Sequence, residues 1–456
     1  MKSYDAVIIG FGKGGKTLAG MFAAAGKSVA VIEQSKKMYG GTCINVGCIP
    51  SKSLVHSARL SFLQGGDFLE KARRYKEAIQ EKDRLTGKLR QKNYDKLNDN
   101  PQITVIDGRA SFQSANRILV ESDGGAEIFE GRQIFINSGA RPFIPPIKGL
   151  RESKFNYISE TLLDLETLPR RLVIIGGGYI GMEFASMYAN FGSKVTVVQD
   201  GSRFLPREDT EIADAVLERL LAQGVRIILS SEVESIQDGD TAALISVKVG
   251  EKTEILPAEA ILTATGRRPN VEGLNLAAAG VELTERGGIK ADERLRTTVP
   301  HIWAMGDVTG GLQFTYISLD DFRIVRSQIF GDGKRTTENR GAVPYSVFLD
   351  PPFSRVGMSE QEAAAQGYEV KIARLSAAAI PKAQVIHQPA GLLKAVVDAK
   401  TDRILGAHFF CAESHEMINI IKLAIDAKLP YIVLRDNIYT HPTMSEALND
   451  LFASLS

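Results

Sequence analysis

The chain has 456 residues, enough for about three domains. Its 44% apolar and 24% charged residues exclude disorder, collagen-like repeats and a disulfide-stapled miniprotein. With 55 Lys and Arg against 54 Asp and Glu, the net charge is +1, so nothing points to nucleic acid or a membrane surface as partner. In chain order, Asp5 to Gly10 (DAVIIG) reads as a buried strand that runs into Gly10-x-Gly12-x-x-Gly15. No apolar signal segment precedes it, and the three cysteines, Cys43, Cys48 and Cys411, are too sparse for a secreted framework. The expected compartment is the cytoplasm.

A small-residue helix over 16–26 and a second strand, Ser28 to Glu33, complete a βαβ unit. Residues 53–98 are polar and helical, and they read as a solvated helical pair inserted in the first domain. Short alternating strands follow from Ile103 to Asn137. The Pro-rich stretch Gly139 to Pro146 then reads as a domain exit. Next the opening pattern returns. RLVIIG (Arg171 to Gly176) leads into Gly176-x-Gly178-x-x-Gly181, a helix to Phe191, and the strand Lys194 to Gln199. Gly10 recurs as Gly176, Gly15 as Gly181 and Glu33 as Gln199, at one constant displacement. A lone GxGxxG is weak evidence, but here each copy follows a strand, opens a helix and reaches a second strand. The first glycine permits the turn, the second lets a pyrophosphate approach, and the third lets helix pack on strand. Two dinucleotides are expected. The run Leu172 to Met182, the most apolar of the chain, is too short to span a bilayer. ATGRRP (Ala264 to Pro269) mirrors the earlier exit, and after Arg340 strands and two helices read as a third, α+β domain.

The sharpest segment is Gly40 to Lys52, GGTCINVGCIPSK. Two cysteines five residues apart lack the other two ligands of a closed zinc site, and their spacing is not the CxxC of zinc ribbons or thioredoxins. A reversible disulfide is the better fit, with a structural pair or two inert thiols as the plain alternative. With Pro50 in the first turn of a predicted helix, Cys48 stands at the helix N-terminus. There the dipole and Lys52, one turn on, favour a thiolate. No metal-ligand set stands out. Cys411 reads as a buried thiol, and His301, His387, His408 and His415 as surface or core residues.

GGTCINVGCIPSK resembles the redox-active segment of the two-cysteine flavoprotein disulfide reductases, the family of dihydrolipoamide dehydrogenase, glutathione reductase and mercuric reductase. The resemblance covers essentially the whole chain. It implies an α/β fold with two Rossmann-like dinucleotide-binding domains, for FAD over 1–149 with 264–335 and for NAD(P) over 150–263. A C-terminal α+β dimerisation domain over 340–456 would make the enzyme a homodimer. Gly10, Gly12 and Gly15 would then face the FAD pyrophosphate, and Glu33 the adenosine ribose. Asp307, in Met305-Gly306-Asp307, would bond the ribityl chain. Gly41, Thr42, Lys52, Gly139 and Gly266 would be further cofactor-binding positions. Gly176, Gly178, Gly181 and Gln199 would hold NADH or NADPH, and Tyr179 would cover the nicotinamide face of the flavin. Lys52 and Glu183 would pair near the reactive flavin nitrogen.

The resemblance also implies a relay from nicotinamide through flavin to a Cys43–Cys48 disulfide. Cys48 would hold the thiolate and Cys43, the more accessible sulfur, would attack the oxidant. His441, oriented by Glu446 within HPTMSE, would serve the disulfide of the partner subunit as acid and base.

Three departures narrow the branch. Lys13 stands in the FAD loop, GLQFTYISLDDFRIVR (Gly311 to Arg326) replaces a small-residue helix start, and LNDLFASLS carries no second cysteine pair. These features resemble the reactive-chlorine-resistance branch, whose members reduce Cu(II) and hypothiocyanous acid with NAD(P)H. The expected function is therefore transfer of electrons from NAD(P)H to hypothiocyanous acid, Cu(II) or both. The alternatives are dihydrolipoamide dehydrogenase and, from another class, a copper-binding or redox-sensing module. An acid where Gln199 stands would hold the ribose hydroxyls of NADH, whereas an arginine would accept a 2′-phosphate. Gln199, with Asp200 beside it and Arg203 nearby, is neither, and the branch inclines the expectation to NADH.

Overall fold

In the structure, a computed structural model that describes residues 2–455, the glycine-bounded apolar runs become parallel strands. β1 (Lys2–Ile9), α1 (Lys13–Ala24) and β2 (Val29–Glu33) form the first βαβ unit. Two long helices follow, α2 (Cys48–Gln64) and α3 (Phe68–Asn98). The chain then returns through β3 (Ile103–Asp107), β4 (Arg109–Ser114), β5 (Arg117–Ser122) and β6 (Gly125–Ile136). The first sheet runs β3-β2-β1-β6-β5-β4. β2 is buried throughout and β1 over its C-terminal half, as parallel strands covered by helices require.

The second unit repeats the first in backbone detail. β7 (Arg171–Ile175), α4 (Tyr179–Phe191) and β8 (Lys194–Val198) carry the second fingerprint. Gly10 N donates to Ile32 O at 2.8 Å, and Gly176 N to Val198 O at 2.9 Å. Gly10 and Gly176 hold φ of 102° and 109°, open only to glycine in practice. A Cβ would stand 2.4 Å from the Asn137 carbonyl oxygen in the first copy and 2.5 Å from that of Ala264 in the second. α5 (Thr210–Ala222) covers this sheet, and β9 (Ala260–Thr263) pairs with β7. The exit and return segments meet as a two-stranded ribbon, Ala140–Pro142 against Arg267–Pro269. Gly139 and Gly266, both at positive φ, turn the chain at its ends.

The chain re-enters the first sheet with β10 (Ile302–Ala304), parallel to β6, and continues into α6 (Thr315–Phe330). A third, antiparallel sheet follows, made of β11 (Tyr345–Val347), β12 (Phe353–Gly357), β13 (Val370–Ser376), β14 (Leu392–Asp398) and β15 (Ile404–Phe410). α7 (Ser414–Asp426) and α8 (Ala447–Ala453) bury their apolar faces on it in one core with Phe409, Ile421 and Leu448.

The 53–98 segment corrects the sequence reading. The two helices are present, with an Asp67–Glu70 capping box opening α3, but the pair is only partly solvated. Tyr75, Ala78 and Ile79 share a core with Tyr188 and Phe191 of α4, in the second unit. Lys82 is 2% exposed, donating to the Leu163 carbonyl at 2.8 Å and to Asp164 at 2.9 Å. A buried cation is tolerable only with such partners, and besides the neighbouring Asp83, at 2.7 Å, they are supplied by residues distant in the chain.

Candidate active site

Gly40 and Gly41 hold left-handed backbone at φ 94° and 84°, and a Cβ on Gly41 would stand 2.7 Å from the Gly12 Cα. The cysteine segment is thereby pressed against the first fingerprint turn. A short helix, Thr42–Asn45, carries Cys43, and Cys48 is the first residue of α2. Both are free thiols. Cys48 Sγ lies 3.4 Å from Thr315 Oγ1, at the first residue of α6. A hydrogen bond from Cys43 lowers the Cys48 thiol to about 6 against the opposing effect of burial, helped by Thr315 and the charge of Lys52. The same bond, with burial, pushes Cys43 well above the ordinary thiol range. The two thiols titrate as an interacting pair, in which Cys48 gives up its proton ahead of Cys43.

Lys52, one turn along α2, donates to both carboxylate oxygens of Glu183 in α4, at 2.9 and 2.7 Å. Glu183 also accepts from Phe348 N at 2.8 Å, and the Lys52 ammonium stands 4.7 Å from the Phe348 ring centre. The pair proposed from sequence is therefore assembled, and it joins the cysteine helix to the second unit.

A groove of about 500 Å³ opens at the ends of β1 and β2, lined by Gly10, Glu33, Gly108, Ser138, Arg141 and Asn270 among others. Glu33 sits at its wall, accepting from Phe11 N at 3.1 Å and Ser35 N at 3.2 Å, and burial raises its carboxyl to about 7. Asn137 braces the turn. Its Oδ1 accepts from Gly15 N at 2.9 Å, and its Nδ2 donates to Met305 O at 2.7 Å and to Ser318 Oγ at 3.2 Å. Asp307 stands in a short turn, Gly306–Thr309, raised by burial and partly relieved by Arg267. A glycine cradle with no room for side chains, a groove and a carboxylate at the strand end fit a dinucleotide such as FAD.

In the second fingerprint, Gly178 is the N-cap of α4 and contributes no side chain, which leaves the helix N-terminus open. Gly181 packs so closely that a Cβ would stand 2.2 Å from Gly176 O. Tyr179 donates to the Glu208 carboxylate and lies 3.4 Å from the Tyr345 hydroxyl, which itself donates to Glu208 at 2.7 Å. Arg355 faces Glu208 at 3.5 Å. Gln199 follows β8, buried against Gly177.

His441 Nδ1 and Glu446 Oε2 are 2.7 Å apart, and Thr443 N donates to Glu446 Oε1 at 3.2 Å. The imidazole is oriented as expected. Among the described residues, it makes no hydrogen bond or ion pair with either cysteine of its own chain. Cys411 is fully buried, and burial pushes its thiol up.

Sequence reasoning passed over Thr315, Asn137, Ser318, Glu208 and Tyr345. Thr315 and Ser318 lie in the unusual 311–326 segment, which was the available signal. Nothing in the sequence marked the others.

A family model described as pyridine nucleotide-disulphide oxidoreductase matches residues 4–321, and that family's dimerisation domain matches residues 343–452. The chain belongs to the pyridine nucleotide-disulphide oxidoreductase family. It is an NAD(P)H-dependent flavoprotein disulfide reductase that uses FAD. Over 453 residues, 99% of each chain, it is 52% identical to the probable pyridine nucleotide-disulfide oxidoreductase RclA of Escherichia coli K12. It is 35% identical to the dihydrolipoyl dehydrogenase of Mycobacterium bovis, covering 100% of this chain and 98% of that one. It is 36% identical to the mercuric reductase of Bacillus cereus, covering 98% of this chain and 70% of that one. Among solved structures, it superposes with a TM-score of 0.95 on a Cu(II) complex of the HOCl-induced flavoprotein disulfide reductase RclA from Escherichia coli. The two are 51% identical and each is covered over 100% of its length.

Proposed function

We propose that this enzyme draws electrons from a nicotinamide nucleotide to reduce hypothiocyanous acid, with Cu(II) as a second acceptor, in cytoplasmic defence against oxidants. The observation that carries the reading is the geometry of the cysteine pair: Cys43 on a short helix, and Cys48 at the start of the next, 3.4 Å from the Thr315 hydroxyl and one turn from Lys52. Full-length similarity to an HOCl-induced reductase solved as a Cu(II) complex supports it. No helix among the described residues is long and apolar enough to cross a membrane.

FAD, held by Gly10, Gly12, Gly15, Glu33 and Asp307 with Gly41, Thr42 and Gly139 nearby, would supply two-electron reduction of the cysteine pair when bound. Lys52 keeps a positive charge beside Cys48 and is itself fixed by Glu183. A base removes the Cys43 proton. That role falls to His441 of the other subunit in a homodimer built on residues 340–456. The Cys43 thiolate then attacks the sulfur of hypothiocyanous acid, forming an S–S bond and releasing hydroxide. The Cys48 thiolate attacks Cys43 Sγ, closing the disulfide and expelling thiocyanate. With copper, the dithiol gives one electron to each of two Cu(II) ions, yielding disulfide, two Cu(I) and two protons. Thiolate stabilises the Cu(I) product. In the same reading, residues 1–149 with 264–335 form the FAD unit, and 150–263 the nicotinamide unit.

The second reading, dihydrolipoamide dehydrogenase, is favoured by the 35% identity over the whole chain. NADH-consumption kinetics on FAD-loaded protein would compare hypothiocyanous acid, Cu(II), lipoamide and oxidised glutathione, with Cys43→Ser alongside. Fast turnover with the first two acceptors, lost in Cys43→Ser, is the expected result. Dominant lipoamide turnover would replace it with the second reading.

A further inference from the structure

The turn after β8 holds a polar atom with nothing to bond. Gln199 is 8% exposed, and its Nε2 donates to the Arg203 carbonyl at 2.8 Å. A carbonyl oxygen accepts only from the NH₂ end of an amide, so this bond sets which way the side chain faces. The other end, Oε1, is buried without a hydrogen-bond partner. Buried polar atoms are paired in the great majority of cases, and each exception calls for an explanation. This one is aimed into the second fingerprint, where a Cβ on Gly177 would stand 1.7 Å from it. It therefore occupies space that a side chain at position 177 would fill, beside the open N-terminus of the 13-residue helix α4.

The surrounding charges favour one ligand. Asp200 turns its Oδ1 back to Gly201 N at 2.8 Å, which keeps a carboxylate in the same turn. Arg203, the one cation among residues 199–203, is exposed and reaches Thr210 Oγ1 at 3.5 Å.

We propose that Gln199 selects NADH over NADPH by presenting a fixed acceptor to the adenosine ribose. The 2′-hydroxyl of NADH has a proton to donate to Oε1. The 2′-phosphate of NADPH brings negatively charged oxygens with no proton to give, and it meets both Oε1 and the Asp200 carboxylate. From sequence, glutamine at this position weakened the signal for NADH, since an acid is usual there. The structure reverses that weight: with its NH₂ end turned to the Arg203 carbonyl, the amide presents an oxygen to the ribose as a carboxylate does. The inference rests on the second fingerprint holding the nicotinamide nucleotide, and it is independent of which oxidant is reduced.

The test uses full-length, FAD-loaded protein. Calorimetric affinities for NAD⁺ and NADP⁺ would be measured for the oxidised wild type and Gln199→Ala. Flavin reduction by NADH and by NADPH would be followed in stopped flow. The wild type is expected to favour the non-phosphorylated nucleotide by about tenfold or more, the scale of one buried hydrogen bond. Gln199→Ala should bring the ratio close to unity, mainly by weakening NAD⁺, with flavin content unchanged. Gln199→Glu should restore the preference. A wild type that favours NADP⁺, or a ratio that Gln199→Ala leaves unmoved, would overturn the assignment to Gln199. Failure of either nucleotide to bind would overturn the nicotinamide-site reading itself.

Discussion

Thr315 is the residue whose contribution is most readily isolated. Its hydroxyl lies 3.4 Å from Cys48 Sγ and helps lower that thiol. Thr315→Val keeps the shape and removes the hydrogen bond, so the Cys48 titration should move up by about one pH unit, from the worth of a hydrogen bond to a charged group. The measurement is the pH dependence of monoalkylation of the reduced enzyme. In the wild type its midpoint should lie near 6, with the rate rising as the thiolate forms above it. Thr315→Ser should behave as the wild type. An unmoved midpoint in Thr315→Val would leave the interaction with Cys43, together with Lys52, as the whole cause.

At the scale of elements, the two βαβ units are alike in backbone and separable by mutation. Gly10 and Gly176 stand at equivalent φ and face equivalent carbonyl oxygens, those of Asn137 and Ala264. Alanine at either site carries backbone strain of roughly 1–3 kcal/mol, besides the clash. Gly10→Ala should lose bound flavin, seen as a fall in the ratio of visible to ultraviolet absorbance. Gly176→Ala should keep its flavin and lose reduction by nicotinamide nucleotide, while chemical reduction by dithionite still works. If both variants lost flavin alike, the two turns would not serve separate ligands. α3 shows how an element can mislead: its polar composition predicts a solvated helix, yet Tyr75 hydrogen-bonds Tyr188 and Leu165 across the unit boundary, at 3.0 and 2.6 Å.

For the whole molecule, a polar seam joins the second unit to the third. Lys394 of β14, 1% exposed, donates to Asp209, Glu211 and Glu360 at 3.0, 2.9 and 2.7 Å. Arg355 faces Glu208 and Glu362, and His408 lies buried beside them with Nε2 3.1 Å from Met358 O. Burial, then the Arg355 charge, lowers His408 from 6.5 to about 4, with the carbonyl of Met358 and the Asp209 charge opposing. Between these values an unfolded chain takes up a proton that the folded seam refuses, so stability falls with falling pH. The contribution is fully present above pH 6.5 and is lost as pH drops toward about 4. Urea unfolding across that range should show the midpoint falling with pH, and His408→Gln should flatten the slope. An equal slope in the variant would assign the acid lability to other groups.

Much of this protein is legible along the chain, because the relevant physics is local. Glycine at Gly10 and Gly176 is required by a turn spanning a few residues, the Cys43–Cys48 spacing lies within one segment, and Cys48 follows from a helix start signalled by Pro50. The family resemblance extended those local signals to Lys52, Glu183, His441 and Glu446. The fold alone decided what depends on distant partners. Thr315 reaches Cys48 from 267 residues away, and Asn137 ties Gly15 to Ser318 across 122 and 181 residues. Tyr179 meets a carboxylate shared with Tyr345 of the third sheet. The direction in which the Gln199 amide faces, and with it the charge pattern shown to a nucleotide, depends on one carbonyl in the following turn. A residue type states which bonds a side chain can make, and only the packed chain determines which of them are already used.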